Sequence, residues 1–405
     1  MFTMERGRRI AAAVAAMLLL AALEAAGQDP AWERALHEAN RLRGAGRYPE
    51  SERIYLAALE QAETFGERDT RLAKALNNLA ALHHEMGRYA EAEPRYRRAL
   101  AIWERAHGSE NVHVAAGLNN LGELFRRQGR FGEAETYMLR SLAIREKLPA
   151  SADRSKDLLI AVSLNNLGEL YRIQGRYREA DTLLRRCVQI RESILGPDHP
   201  DLATCLHNYA NLLQEVDEPV RAEAALRRAL AIRERVLGGD HPYVASTLNN
   251  LAAFYSRQQN GEPAEPLYLR AIRIWEKSVG PDHPNVASVV NNLAELYSAE
   301  GKLSEAEPLY RRAIAIAENA LGPGHPQVAD FTQNLGTLFF RQGKLQGAEK
   351  LYLRAIEIRE NSLGARHPAV APSLLGLART QQQQGRHTEA ARSEKRAKSL
   401  LAGER

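Results

Sequence analysis

Cysteine is nearly absent from this chain. Cys187 and Cys205 are its only two in 405 residues, too few for a disulfide-built scaffold or a four-thiolate zinc site. Aromatic residues are scarce at 6%, and an excess of one charge is lacking too. The 55 Lys and Arg nearly balance 50 Asp and Glu, for a net +5, which argues against a surface built to bind nucleic acid. Catalytic motifs are missing as well. There is no phosphate-cradling glycine loop ending in Lys-Ser or Lys-Thr, no nucleophile elbow and no pocket motif carrying a carboxylate pair. His83-His84-Glu85 resembles the start of His-Glu-x-x-His, but Arg88 stands where the second His belongs. The expectation is a non-enzyme without cofactor or metal. Disorder is excluded in turn, because 44% hydrophobic and 26% charged residues are ample for a sizeable core.

A long apolar run is also missing. Ile10–Leu23 holds fourteen uncharged residues, short of the roughly 20 that span a bilayer. With Arg6, Arg8 and Arg9 before it and Ala25-Ala26-Gly27 after it, the segment 1–27 reads as a cleavable secretory signal. The expected protein is exported, periplasmic or secreted if bacterial, with no membrane span after cleavage. An uncleaved anchor at residues 10–23 is the alternative.

What the sequence has in abundance is repetition. Leu-Asn-Asn-Leu recurs with small variations, and its second Asn falls at 78, 120, 166, 208, 250, 292 and 334. The steps are 42 residues except for one of 46. Gly46-Arg47-Tyr48 and Gly376 extend the count to about nine units. In the unit Pro200–Leu237, Pro200 is placed to open a helix, with Asp198-His199 before it able to cap. Leu202, Leu206, Tyr209, Leu212 and Leu213 follow at helical spacing. A Gly-Arg or Gly-Lys turn, such as Gly175-Arg176-Tyr177, then leads to a second amphipathic helix. Each unit is a helical hairpin too small to bury its own apolar face, so neighbours must stack. The resulting class is all-α, an α-solenoid. Its organisation is a signal at 1–27, a degenerate unit at 28–73, seven repeats over 74–371 with an insertion at 149–156 expected to be an exposed loop, and a capping unit at 372–405. Ala92, Ala134, Ala180, Ala222, Ala264, Ala306, Ala348 and Ala390 recur at one second-helix position, where a larger side chain would force paired helices apart.

Leu164, Leu167-Gly168, Tyr171, Gly175, Tyr177, Ala180, Leu184 and Cys187 stand at the spacing of a tetratricopeptide repeat, and the chain resembles the kinesin-light-chain type of that family. The loops Leu195–Pro200 and Val279–Pro284 supply part of the eight residues by which a 42-residue unit exceeds the usual 34. The likeness covers about nine tenths of the chain. It implies a right-handed superhelix whose first helices line a concave groove for an extended peptide or partner helix. Departures are Glu38 in place of Leu in the first unit, Asp217 in place of the turn glycine in the fifth, and Gln258-Gln259-Asn260-Gly261 in the sixth.

Asparagine is a poor residue for a helix interior, so seven at one position require a reason. A primary amide can grip a peptide backbone without regard to its side chains. One reading makes Asn78, Asn120, Asn166, Asn208, Asn250, Asn292 and Asn334 a ladder for a ligand. The other has them bond neighbouring helices and hold the stack in register. The preceding Asn77, Asn119, Asn165, Asn249 and Asn291 read as packing or surface residues. Arg126, Arg127 and Arg172 would favour an acidic peptide, unless Glu123 and Glu169, one turn away, neutralise them.

His199, His241, His283, His325 and His367 each belong to a different unit, so stacking spreads them apart, and capping is their expected role. Cys187 and Cys205 would permit a disulfide after export. Cys187 takes a position held by Ala99, Ala229, Ala271 and Ala313 in other units, which favours two buried thiols. The functional expectation is a scaffold that binds a protein or peptide partner in its groove, without nucleic acid. The rival is a structural spacer or assembly component that uses its ends, its convex face or self-association.

Overall fold

A computed structural model describes residues 30–149, 154–258 and 261–402. The segment 1–27, read as a signal, lies outside them. Among the described residues, eighteen α-helices form nine hairpins. In chain order the pairs are α1 (Pro30–Gly44) with α2 (Tyr48–Glu63), α3 (Thr70–Glu85) with α4 (Tyr89–His107), and α5 (Val112–Arg127) with α6 (Phe131–Lys147). Next come α7 (Ser155–Ile173) with α8 (Tyr177–Leu195), α9 (Leu202–Glu215) with α10 (Pro219–Leu237), and α11 (Pro242–Arg257) with α12 (Gly261–Val279). The last three are α13 (Pro284–Ala299) with α14 (Leu303–Leu321), α15 (Pro326–Arg341) with α16 (Leu345–Leu363), and α17 (Ala371–Gln383) with α18 (His387–Ala402).

Local chemistry sets these limits. Asp69 and Asn111 cap α3 and α5 by accepting from the amides of Arg71 and His113 at 2.8 and 2.9 Å. The loop histidines do the same through Nδ1: His241, His283, His325 and His367 accept from the amide two residues on at 3.0–3.1 Å. Between the helices of a hairpin the chain turns through a left-handed residue, Gly87 at φ +69° for example. Asp217 takes that conformation at φ +58°, tolerable because aspartate is among the few side chains that visit it.

Three expectations are corrected. The fifth unit's first helix starts at Leu202, not Pro200, because its first turn is wound tighter: the amides of Leu202, Ala203 and Thr204 reach back three residues, to His199, Pro200 and Asp201. Of the loop expected at Pro149–Lys156, Ser155 and Lys156 are already helical. Cys187 and Cys205 are joined by a disulfide, with Cα atoms 6.2 Å apart, and are not two thiols.

The alanine position is where each hairpin closes, and all eight alanines are buried. Facing them, Gly122 and Gly168 leave room for Met138 and Leu184; a Cβ on either would sit 2.6–2.7 Å from those side chains. Successive first helices touch, α3 with α5 and α13 with α15 among them, which puts them on the inner side of the curve. The outer side carries a regular ladder of ion pairs. Arg140–Glu104, Arg228–Glu192, Arg270–Glu234 and Arg312–Glu276, at 2.5–2.6 Å, each link one second helix to the one before. Arg354–Glu318 and Arg396–Glu360 continue it. Exposed pairs contribute little one at a time, and their repetition marks the stacking register. At the far end Glu394, Lys395, Arg396 and Lys398 are exposed on α18, a polar face that lets the array stop.

Ala306→Leu is expected to lower unfolding free energy by about 1–3 kcal/mol through overpacking. Urea denaturation followed by circular dichroism checks this, and an unchanged midpoint would mean that the helices are not in close contact there. The thiol count in denaturant should be near zero before reduction and near two after it. Closing 18 residues by that bond stabilises by about 3 kcal/mol in the chain-entropy account, so reduction should shift the midpoint down.

Candidate functional site

The inner wall is built from the first helices, and its most regular feature is the asparagine stripe. All seven of its asparagines are half-buried. Five of them donate to the unit before: Asn120 to Asn77 at 2.9 Å, Asn166 to Asn119 at 3.1 Å, Asn208 to Asn165 at 2.9 Å, Asn292 to Asn249 at 2.9 Å and Asn334 to Asn291 at 3.2 Å. In each rung the first asparagine of one motif accepts and the second asparagine of the following motif donates. Asn78 and Asn250 make no such rung. The unit before Asn250 has His207 in the accepting place, and burial pushes that imidazole down to about 4. Each rung uses one amide hydrogen, so Asn120, Asn208 and Asn292 keep a second N–H and a carbonyl oxygen uncommitted among the described residues.

The arginines are less free than the asparagines. Arg126, with its side chain 13% exposed, is held by Glu123 at 2.7 Å. Arg172 is gripped by Glu169 at 2.8 and 2.9 Å and by Glu215 of the next unit at 3.1 Å. Burial raises the Glu123 carboxyl, but hydrogen bonds and charge from Arg126 and Arg127 outweigh it and hold that group below its usual range. Arg127 is 57% exposed and only 3.3 Å from Glu123, so of the three it is the one able to turn to a ligand. Glu295, on α13, goes the other way. Burial raises its carboxyl, Asp330 adds to the effect, and hydrogen bonds from Asn291 and Asn334 oppose it.

The curvature brings the chain back onto itself. His325 Nε2 lies 3.1 Å from the Glu85 carbonyl, 240 residues away. The same meeting repeats to either side: His283 faces the Gly44 carbonyl, and His367 points toward that of Gln128. The hairpin turns of units one, two and three therefore rest on the loops that precede units seven, eight and nine. Contact is close. A Cβ on Gly46, Gly87 or Gly129 would fall 2.7 Å from His283, 2.7 Å from Pro326 and 2.8 Å from His367, whereas the equivalent Gly175, Gly301, Gly343 and Gly385 have nothing within 4 Å. The groove is thus closed along its side by a seam. Beneath the seam lies a cavity of about 580 Å³, whose lining includes His84, Glu85 and Arg127 from early units and His325, Gln327 and Asp330 from late ones.

The structure keeps the asparagine stripe together on one wall and places the three arginines in its early section. His241, His283, His325 and His367 cap helices as expected, whereas His199 accepts from the Asp201 amide ahead of α9 and does not cap it; three of the four also form the seam, which sequence reasoning missed. No single unit encodes it, because it depends on curvature summed over six. Among the described residues no cluster of His, Cys, Asp or Glu is arranged to hold a metal, and no helix is long and apolar enough to cross a membrane.

Comparison with known proteins agrees with this architecture. The sequence model of the tetratricopeptide repeat family matches residues 34–102, 71–147, 159–235, 209–260, 243–319, 290–361 and 327–401. No curated protein matches the chain in sequence. Among solved structures, BtubC (BKLC) of P. vanneervenii is 26% identical, with 58% of this chain and 92% of that one covered at a TM-score of 0.48. Kinesin-light-chain TPR-like repeats of Podosopora anserina are 25% identical, covering 51% and 98% at a TM-score of 0.43. A Rap protein, solved with competence and sporulation factor, is 15% identical but covers 93% and 100% at a TM-score of 0.61, a likeness of fold.

The rungs carry a stability prediction. Asn208→Ala strands the Asn165 carbonyl and should cost about 1–2 kcal/mol, while Asn250→Ala, which breaks no rung, should cost nearly nothing. Equal urea midpoints for the two variants would show that the rungs do not hold the stack.

Proposed function

The chain belongs to the tetratricopeptide-repeat family, and from that premise we propose that it is a non-catalytic adaptor holding an extended or helical segment of a partner protein in its channel. The fold typically mediates protein–protein interaction and is usually non-catalytic. The observation that carries the finer reading is the stripe itself: after their rungs Asn120, Asn208 and Asn292, each two units from the next, still present a donor and an acceptor, suited to the polar backbone of a peptide. Arg127 would add a preference for an acidic residue beside the early units. The Rap structure, a protein of like fold, contains a bound factor, which supports binding by an array of this fold without identifying the ligand here. Export from the cytoplasm belongs to the same proposal. The Cys187–Cys205 disulfide supports it, since such bonds persist in oxidising compartments.

A second reading is favoured by the rungs. If the asparagines serve the stack alone, the array is a spacer or assembly component working through its ends or outer face. The two readings separate cleanly with the asparagines that make no rung. Residues 28–405 and the Asn78→Ala, Asn250→Ala, Arg127→Glu variant, matched by circular dichroism, would be used to capture clients from a cell-envelope extract. Loss of a client by at least tenfold in the variant is the expected result. An identical client list from both would remove the channel reading and leave the spacer.

A further inference from the structure

The seam is made of one chemical unit used three times. In His283, His325 and His367, Nδ1 accepts from the amide of the residue two positions on, at 3.0–3.1 Å. That nitrogen must therefore be unprotonated, and the ring proton sits on Nε2. Nε2 is the atom turned across the seam, toward Gly44, Glu85 or Gln128. Each ring is thus a neutral pin with one end in its own helix cap and the other packed against a unit six places earlier. It is hydrogen-bonded there in His325 and held by close contact with the turns of Gly46 and Gly129 in His283 and His367, the buried Nε2 of His367 having no hydrogen-bond partner among the described residues. We propose that these three histidines form a latch, released by protons, that opens the channel along its side.

A second proton would have to go to Nδ1, which would then be a donor facing a donor. The cap is lost and the loop that presents the ring is loosened. The surroundings compensate the charge only in part. His283 stacks on Trp275, centroids 5.7 Å apart and planes within 4°, beside Arg47, Glu50 and Asp282 in the adjoining cleft. Around His325 stand Glu85, Arg127, Asp330 and neutral His84, with Tyr48, Tyr89 and Tyr96, and Glu85 already faces Arg43 at 3.6 Å. Near His367 the charge is that of Arg359, itself paired with Asp330 at 2.6 Å. Burial pushes all three imidazoles down, His325 to about 4, with Arg127 adding to the effect there and Arg359 at His367, and it outweighs the seam carbonyls of Gly44, Glu85 and Gln128, which favour the proton.

The sign follows from linkage. An open seam exposes imidazoles that titrate near 6.5, so the open form binds more protons than the closed one. Closure is at full strength above about pH 6.5 and weakens as pH falls toward the closed-state values. The closed-to-open ratio drops up to about tenfold per histidine per pH unit. The latch rests on the seam geometry and holds whether or not a peptide occupies the channel; only its role as an entrance depends on the binding reading.

Small-angle scattering of residues 28–405 without ligand tests it. Between pH 7.5 and 5.0 the radius of gyration is expected to rise while helicity by circular dichroism stays constant. The His283→Asn, His325→Asn, His367→Asn variant keeps a capping acceptor but cannot titrate, so it should give one value at both pH values. Gly87→Ala should be expanded already at pH 7.5, whereas Gly301→Ala, with the same left-handed backbone and nothing nearby, should not. An unchanged radius in the native chain, the same pH response in the histidine variant, or equal behaviour of the two glycine variants overturns the latch. So does expansion that depends on protein concentration, which would report association of chains. Failure of the client capture with success here would leave the latch standing, and the reverse would leave the adaptor standing.

Discussion

A two-helix hairpin of about 42 residues cannot cover its own apolar face, and everything else in this protein follows from that shortage. Each hairpin is finished by its neighbour. The alanines where paired helices meet, the glycines opposite Met138 and Leu184, and the polar face of α18 all serve this completion at successive depths. Burial is non-directional, however, and would permit neighbours to slide. Direction comes from polar contacts at both surfaces of the stack. Asparagine rungs fix the inner edge and arginine–glutamate pairs the outer one, so the rotation between neighbours is held from two sides. Small, constant rotation is what makes the curve regular enough for unit seven to meet unit one.

Polar residues within the stack share one logic. Arg145, Arg233 and Arg359 are buried at one second-helix position, and each reaches a hydroxyl of the next unit: Ser163 at 2.8 Å, Thr247 at 2.7 Å and Ser373 at 2.5 Å. Trp103 and Trp275 fill the same position in other units. A ring fills that space by shape alone, while a guanidinium must be answered by a partner, and each partner lies on the following hairpin. The Cys187–Cys205 bond likewise joins one unit to the next.

Most of the fold was legible in the sequence because its information is periodic. Repetition at 42 residues averages out local ambiguity, and the turn glycines and His-Pro loops mark helix ends by chemistry that acts within a few residues. Misreadings fell where a unit departs from the pattern. The first turn after His199 is wound more tightly than those after His241, His283 and His325, and Ser155 is helical inside an apparent insertion. The cysteine pair was misread for a different reason: alanine at the equivalent positions said that Cys187 is buried, but burial cannot tell a thiol from a disulfide. At the site, residue types and their shared face could be read from spacing, whereas their partners could not. That Arg172 is gripped by Glu215 and Asn166 by Asn119 depends on how two hairpins rest on each other. Closure lay furthest from view, since no property of Gly87 or His325 alone says that they meet.

Closure also ties the protein's shape to its number of units. Contacts join unit n to unit n plus six, so nine hairpins provide three of them, and seven would provide one. An in-frame duplication of a middle hairpin would leave every rung intact, because rungs join adjacent units, yet it would create a fourth meeting and change which turns face which loops. Repeat number is therefore a heritable dial on the rigidity of the closed form. Unequal recombination can turn it in whole steps without altering a single residue of the motif.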